Sequence, residues 1–132
     1  MTNKYTKKTL KELVIELPEL YQPIYKHKEL SKSPSRDSED RLDNLIKVYE
    51  ALSLKMQRRL RVLDLGCAQG FFSMSLSEAG AIVHGVHYGV ENVEVCQKLA
   101  EENKNLDVSF QFGRIEEFIS QLEIGEYDLV LG

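Results

Sequence analysis

The stretch Arg61-Val62-Leu63-Asp64-Leu65-Gly66-Cys67-Ala68-Gln69-Gly70 decides the fold. It opens as an apolar run, Val62 to Leu65. It then breaks into a turn of small residues and leads into a helical pattern from Phe71. Strand, tight turn and helix in that order build a ligand site at the carboxyl end of a strand in α/β sheets. Gly66 and Gly70 let backbone approach a ligand with no Cβ in the way. Asp64 is out of place in such a strand. A carboxylate there costs several kcal/mol, or shifts its pKa, unless something pairs with it.

Downstream the pattern repeats. A helix over Phe71–Ala79 stops at Gly80, where glycine suits a helix C-terminus. Ala81–His87 is a second strand. Asn92–Asn103 reads as a helix with Val93, Cys96, Leu99 and Ala100 on one face. Val108–Phe112 is a third strand, Ile115–Leu122 a short helix and Tyr127–Leu131 a fourth strand. Strands alternating with helices imply parallel βαβ units, hence an α/β, Rossmann-like parallel sheet. Upstream, Leu10, Leu13, Val14 and Leu17 give a helix from about Thr6 to Leu17, redirected by Pro18. Leu20 to Tyr25 is irregular and Ser31 to Ser38 is a loop. Asp37 or Ser38 caps a long helix over Glu39–Lys55, whose apolar stripe is Leu42, Leu45, Ile46, Tyr49 and Leu52. Residues 1–59 therefore read as an N-terminal helical cap of the same domain, and 60–132 as the N-terminal part of its α/β core.

Composition narrows the function. With 42% hydrophobic and 29% charged residues, the 132-residue chain reads as one globular domain. A net charge of −4 disfavours nucleic acid as a partner. No run is apolar enough for a transmembrane segment, and the N-terminus lacks the pattern of a secretory signal. Two cysteines without metal spacing suit reduced thiols in a cytoplasmic protein. His84 and His87 are three apart on a strand and face opposite ways, so no metal is expected.

Asp64-Leu65-Gly66-Cys67-Ala68-Gln69-Gly70 resembles the glycine-rich motif Asp/Glu-x-Gly-x-Gly-x-Gly of class I S-adenosylmethionine-dependent methyltransferases, with Ala68 at the middle glycine. The dinucleotide spacing Gly-x-Gly-x-x-Gly and the Lys-Ser/Thr pair of a P-loop are absent. The resemblance implies a seven-stranded sheet, of which this chain supplies four strands in the order 3-2-1-4, so the chain is expected to be a piece of a longer protein. It also implies S-adenosyl-L-methionine as cofactor. Asp64, Gly66, Cys67 and Gly70 then hold its methionine end. His87 stands where the family has an acid that accepts from both ribose hydroxyls. A neutral imidazole offers one acceptor, so Glu91 is the expected second one. Tyr88 and Asn92 complete the surrounding His-Tyr-x-x-Glu-Asn pattern. At Gly113-Arg114-Ile115-Glu116 the family reads adenine, which gives Ile115 the backbone contact and Glu116 the exocyclic amine.

From Glu16 onward, the stretches ELPELYQPIY, RLDNLIKVYE, VLDLGCAQGFFS, ENVEVCQKLAEEN and GRIEEF are similar to the N-terminal methyltransferase module of bacterial O-antigen and surface-glycan chain-terminating proteins. That similarity adds Tyr21, Gln22 and Arg41 as cofactor contacts. It implies methyl transfer to a sugar or phosphate oxygen of a glycan or lipid-linked saccharide acceptor. It also implies kinase or glycosyltransferase domains downstream, and a place at the inner face of the membrane through the full-length protein. No catalytic residue is assigned; a base is expected beyond Gly132. The rival reading is a non-catalytic module that keeps the fold and scaffolds a larger glycan-synthesis protein.

Overall fold

The computed structural model describes residues 8–31 and 38–132. Four strands, β1 (Arg61–Leu65), β2 (Ile82–His87), β3 (Val108–Phe112) and β4 (Leu129–Leu131), form one sheet in the order β3-β2-β1-β4. Every pairing is parallel, and Asp64 lies opposite Gly85 on one side and Leu131 on the other. The helices are α1 (Leu10–Ile15), α2 (Ser38–Met56), α3 (Phe71–Glu78), α4 (Val90–Glu102) and α5 (Ile115–Ser120), with a 3₁₀ turn at Lys28–Leu30. No helix of the described residues is long and apolar enough to cross a membrane.

Several boundaries differ from the sequence expectation, each for a local reason. The Thr6 start and the Asp37 cap fall outside the described residues. A capping box between Thr9 and Glu12 fixes the start of α1 at Leu10, and Glu16 already closes it. Ser38 is already helical in α2, so it is not the cap. Gly89, with extended backbone, lets α4 begin at Val90, two residues early. Tyr127 and Asp128 lie outside β4, because Asp128 turns its side chain onto β1.

Two clusters make up the interior. In one, Leu10 and Leu13 of α1 and Ile24 and Tyr25 of the N-terminal segment pack with Cys67, Met74, Val93, Leu99 and Phe110. In the other, Tyr49 of α2 packs with Leu60, Val62, Leu76, Ala81 and Val83. Tyr25 also donates its hydroxyl to Glu78 on α3. α1 and the segment around Ile24 and Tyr25 are thus built into the core of the sheet. On the opposite face of β2, His84 bonds Ser109 and Gln111 on β3 and stacks on Phe118 of α5 with centroids 5.7 Å apart. His87 belongs to the face of Val83 and Gly85, as strand alternation requires.

Two carboxylates carry opposite burdens. Asp128 binds the Arg58 guanidinium through both oxygens (2.7 and 2.8 Å) and accepts from the Arg61 backbone N–H at 2.8 Å. The two guanidinium groups hold its pKa well below the usual carboxylate range. Asp64, 6% exposed, receives a hydroxyl from Ser73 of α3 at 2.7 Å. Burial pushes its pKa up to about 6, and the Ser73 bond offsets only part of that. Its folded pKa lies above the unfolded one, so folding is favoured below the unfolded pKa and loses that contribution as pH rises through about 6. The ionised group therefore costs roughly 3 kcal/mol at neutral pH.

Asp64→Asn keeps an acceptor for Ser73 without the charge. It is expected to stabilise the fold by about 1–2 kcal/mol at pH 8, with the gain vanishing near pH 4; thermal unfolding at the two pH values measures it. Asp128→Ala is expected to lower Tm by several degrees, and to speed amide exchange in β4 before β2 or β3.

Candidate functional site

The turn after β1 is fastened from several sides. The N–H groups of Gly66 and Cys67 both donate to the Val86 carbonyl, and the Gly70 N–H donates to the Cys67 carbonyl. Gly66, Ala68 and Gly70 are left-handed, with φ of 73°, 51° and 84°. For Ala68 that conformation costs about 1–2 kcal/mol. Two bonds hold it there: its N–H donates to Nδ1 of His87 at 3.2 Å, and its carbonyl accepts from the Cys96 thiol at 3.3 Å.

The two glycines serve different ends. A Cβ on Gly66 would meet nothing closer than Ile115 Cδ1 at 3.9 Å, so it would project into open space. A Cβ on Gly70 would stand 3.0 Å from Cys96 Sγ and 3.3 Å from the Phe110 ring. Gly70 is therefore needed for packing α3 onto the core. Gly66 leaves room for something else.

That room is a cleft of about 230 Å³ lined by Tyr21, Gln22, Arg41, Gly66, Ala68, His87 and Tyr88. A second hollow of about 380 Å³, lined by Tyr88, Arg114, Ile115 and Glu116, shares Tyr88 with it. Across the turn, the Arg41 guanidinium lies 5.3 Å above the Phe72 ring. Among the described residues it has no ion-pair partner and no carboxylate lines the cleft.

Gln69 went unrecognised in the sequence and is the joint of the site. It is fully buried; its Oε1 accepts the N–H groups of Tyr21 (2.9 Å) and Gln22 (3.1 Å). Its Nε2 donates to Asn92 Oδ1 and, at 3.4 Å, to the Glu19 carbonyl. Gln22 answers with its own Oε1, which accepts the Phe71 N–H at the start of α3 at 3.0 Å. The one available signal was a long amide in a turn of otherwise small residues.

The remaining expected residues are distributed unevenly. Cys67 is buried in the core, with both its backbone groups bonded inside the fold. Asp64 lies beneath the turn and bonds Ser73, not the turn amides. Asn92 is buried with its Oδ1 on Gln69, and Glu91 is exposed and outside the cleft lining. Gly113 donates its N–H to the His87 carbonyl at 3.0 Å. Arg114 caps α5 and pairs with exposed Glu116 at 3.5 Å.

His87 differs from expectation in its chemistry. It is 7% exposed, and burial lowers its pKa, so the neutral ring prevails at neutral pH. Since Nδ1 accepts from Ala68, the ring proton is assigned to Nε2. The single acceptor of the neutral ring is used inside the protein, and what remains is a donor. The ring stacks on Tyr88 with centroids 4.9 Å apart.

A family model described as a methyltransferase domain matches residues 57–132. The chain is 50% identical over 125 residues to the O-antigen chain terminator bifunctional methyltransferase/kinase WbdD of Escherichia coli, covering 95% of this chain and 18% of that protein. A crystal structure of WbdD superposes with a TM-score of 0.92 at 50% identity, over 94% of this chain and 28% of that one. Magnesium protoporphyrin IX methyltransferase from Synechocystis, solved with S-adenosylmethionine bound, matches with a TM-score of 0.55 at 28% identity, over 69% of this chain and 41% of that one. The chain thus spans about a fifth of the curated relative's length. With the strand order, the glycine turn after β1 and the family match over more than half its residues, the chain belongs to the methyltransferase domain family.

Proposed function

We propose that the cleft binds S-adenosyl-L-methionine, and that the chain is the cofactor-binding part of a methyltransferase acting on a surface glycan. The observation that carries the reading is the pairing of Arg41 with Gly66. A guanidinium that rests on the Phe72 ring and has no ion-pair partner among the described residues shares the cleft with a left-handed glycine turn, and no carboxylate of the described residues lines that cleft. The donor set fits an amino-acid carboxylate at Arg41, where two parallel N–H bonds are available. Gly66 admits the ligand chain beside the turn. Tyr88 and Ile115 offer apolar walls to a base in the adjoining hollow, with Glu116 as acceptor for an exocyclic amine and Ile115 as the backbone contact. Tyr21 and Gln22 close the cleft from the N-terminal side. Asp64 supports the turn from below, through Ser73 and α3. Tyr88, His87, Asn92, Gly113 and Arg114 shape the ribose and base end, while Cys67 and Gly70 act as packing supports and Glu91 stands at its exposed margin.

When bound, the cofactor supplies a methyl group on a sulfonium. The residues here bind and orient; none is placed to remove a proton from an acceptor. Support for a glycan or lipid-linked saccharide acceptor, and for a kinase fused downstream, comes from the relative named above, a bifunctional chain terminator. A cytoplasmic setting belongs to the same reading. One observation favours the rival scaffold reading: among the described residues, no acid lines the cleft to accept from a ribose.

Calorimetric titration with S-adenosylhomocysteine separates the two. Binding in the micromolar range is expected. Arg41→Ala should weaken it about tenfold or more, since bonds to a charged group are worth about 1.5–3 kcal/mol. Gly66→Val should abolish it, and Ala68→Gly should preserve it. No heat from the parent protein at millimolar ligand would favour the scaffold.

A further inference from the structure

The geometry separates the two nitrogens of His87. Nδ1 accepts the N–H of Ala68, the one residue of the turn that has a Cβ and a left-handed backbone. Nε2 has no protein partner among the described residues, and the ring lines the cleft. The stacked Tyr88, 69% exposed, leaves the outer side of this corner open to a ligand.

We propose that His87 is a positioning residue for the ligand, acting in one tautomer only: Nδ1 holds Ala68 in its left-handed turn, and Nε2–H donates to a hydroxyl oxygen of the bound molecule. The ligand half rests on the cofactor reading above; the Ala68 half does not.

The consequence is directional. An Nε2–H donor meets one oxygen and accepts from none, so this corner recognises a hydroxyl-bearing ligand by donation. A second proton at Nδ1 sets donor against donor, and Ala68 loses the bond that offsets its strained φ. Ligand affinity then falls with acid, by up to about tenfold per pH unit below the pKa of the free protein. Among the described residues, the charged and titratable groups that line the cleft with His87 are Tyr88, stacked on the ring, Tyr21 and Arg41; Asp64 stands on the adjoining strand β1. Asp64 titrates in a neighbouring range, so the parent profile must be read against a variant that keeps Asp64 and lacks the imidazole.

The test uses His87→Asn, whose Oδ1 can take the place of Nδ1 without titrating, and His87→Leu, which has no acceptor. S-adenosylhomocysteine is titrated into the parent and both variants at pH 8 and pH 5.5. Ring ¹⁵N shifts of the ligand-free parent are recorded by NMR as the pH is titrated. At pH 8, His87→Leu should lose about tenfold or more in affinity, and His87→Asn, which keeps the Ala68 bond but lacks the Nε2–H donor, should fall between His87→Leu and the parent. On acidification the parent should lose more affinity than His87→Asn, the difference opening below the His87 pKa that the ¹⁵N titration gives. The NMR should show the Nε2–H tautomer. An Nδ1–H tautomer, an Asn variant no better than Leu, or identical pH dependences of parent and Asn would each overturn the proposal. A parent that shows the Nε2–H tautomer but binds no S-adenosylhomocysteine would overturn the cofactor reading and the ligand half, while leaving the His87–Ala68 contact in place.

Discussion

The exchange of hydrogen bonds between Gln22 and Gln69 is the constraint on which the site depends. Each side chain satisfies backbone amides of the other's segment, and Gln69 is fully buried. Separating the two segments would strand several buried polar groups, at about 1–3 kcal/mol for each one left unsatisfied. The N-terminal segment therefore cannot lift from the glycine turn as a free flap. The cleft exists because this joint places Tyr21 and Gln22 opposite Gly66, while α2 brings Arg41 over Phe72.

Three local rules are broken together at the glycine turn. Asp64 is an acid inside a strand, Ala68 is a left-handed residue with a Cβ, and Gln69 is a buried amide in a turn. Each is compensated by a neighbour: Ser73 for the acid, His87 and Cys96 for the alanine, Asn92 and the Tyr21 and Gln22 amides for the glutamine. Such compensated strain is what a functional site leaves in a sequence otherwise consistent with its fold. Away from the turn, the Asp128 clamp and the two apolar clusters follow ordinary packing rules.

Much of this was legible in the residues. Alternating apolar strands and amphipathic helices gave the elements and the parallel α/β class, because period and turn chemistry are local properties; the strand order came with the family resemblance of the glycine turn. The turn itself was legible from Gly66 and Gly70, but their division of labour was not, since it depends on Cys96 and Phe110, distant in sequence. Glu91 was expected to stand in for a missing acid, and the helix directs it outward. His87 was expected to accept a hydrogen bond from a ligand. Its acceptor is already taken by Ala68, a contact set by the registry of β1 and β2 and invisible to motif spacing. Gln69 escaped notice because its partners lie 23 to 50 residues away.

The claim that the two glutamines make one unit of cap and turn is tested most directly by hydrogen exchange of single amides in the parent and in Gln69→Leu. The account predicts that Tyr21, Gln22 and Phe71 are protected together in the parent, and that Gln69→Leu speeds Tyr21 and Gln22 about tenfold or more and Phe71 along with them, while β2 and β3 keep their rates. Fast exchange of Tyr21 and Gln22 in the parent, or protection unchanged by the substitution, would contradict it.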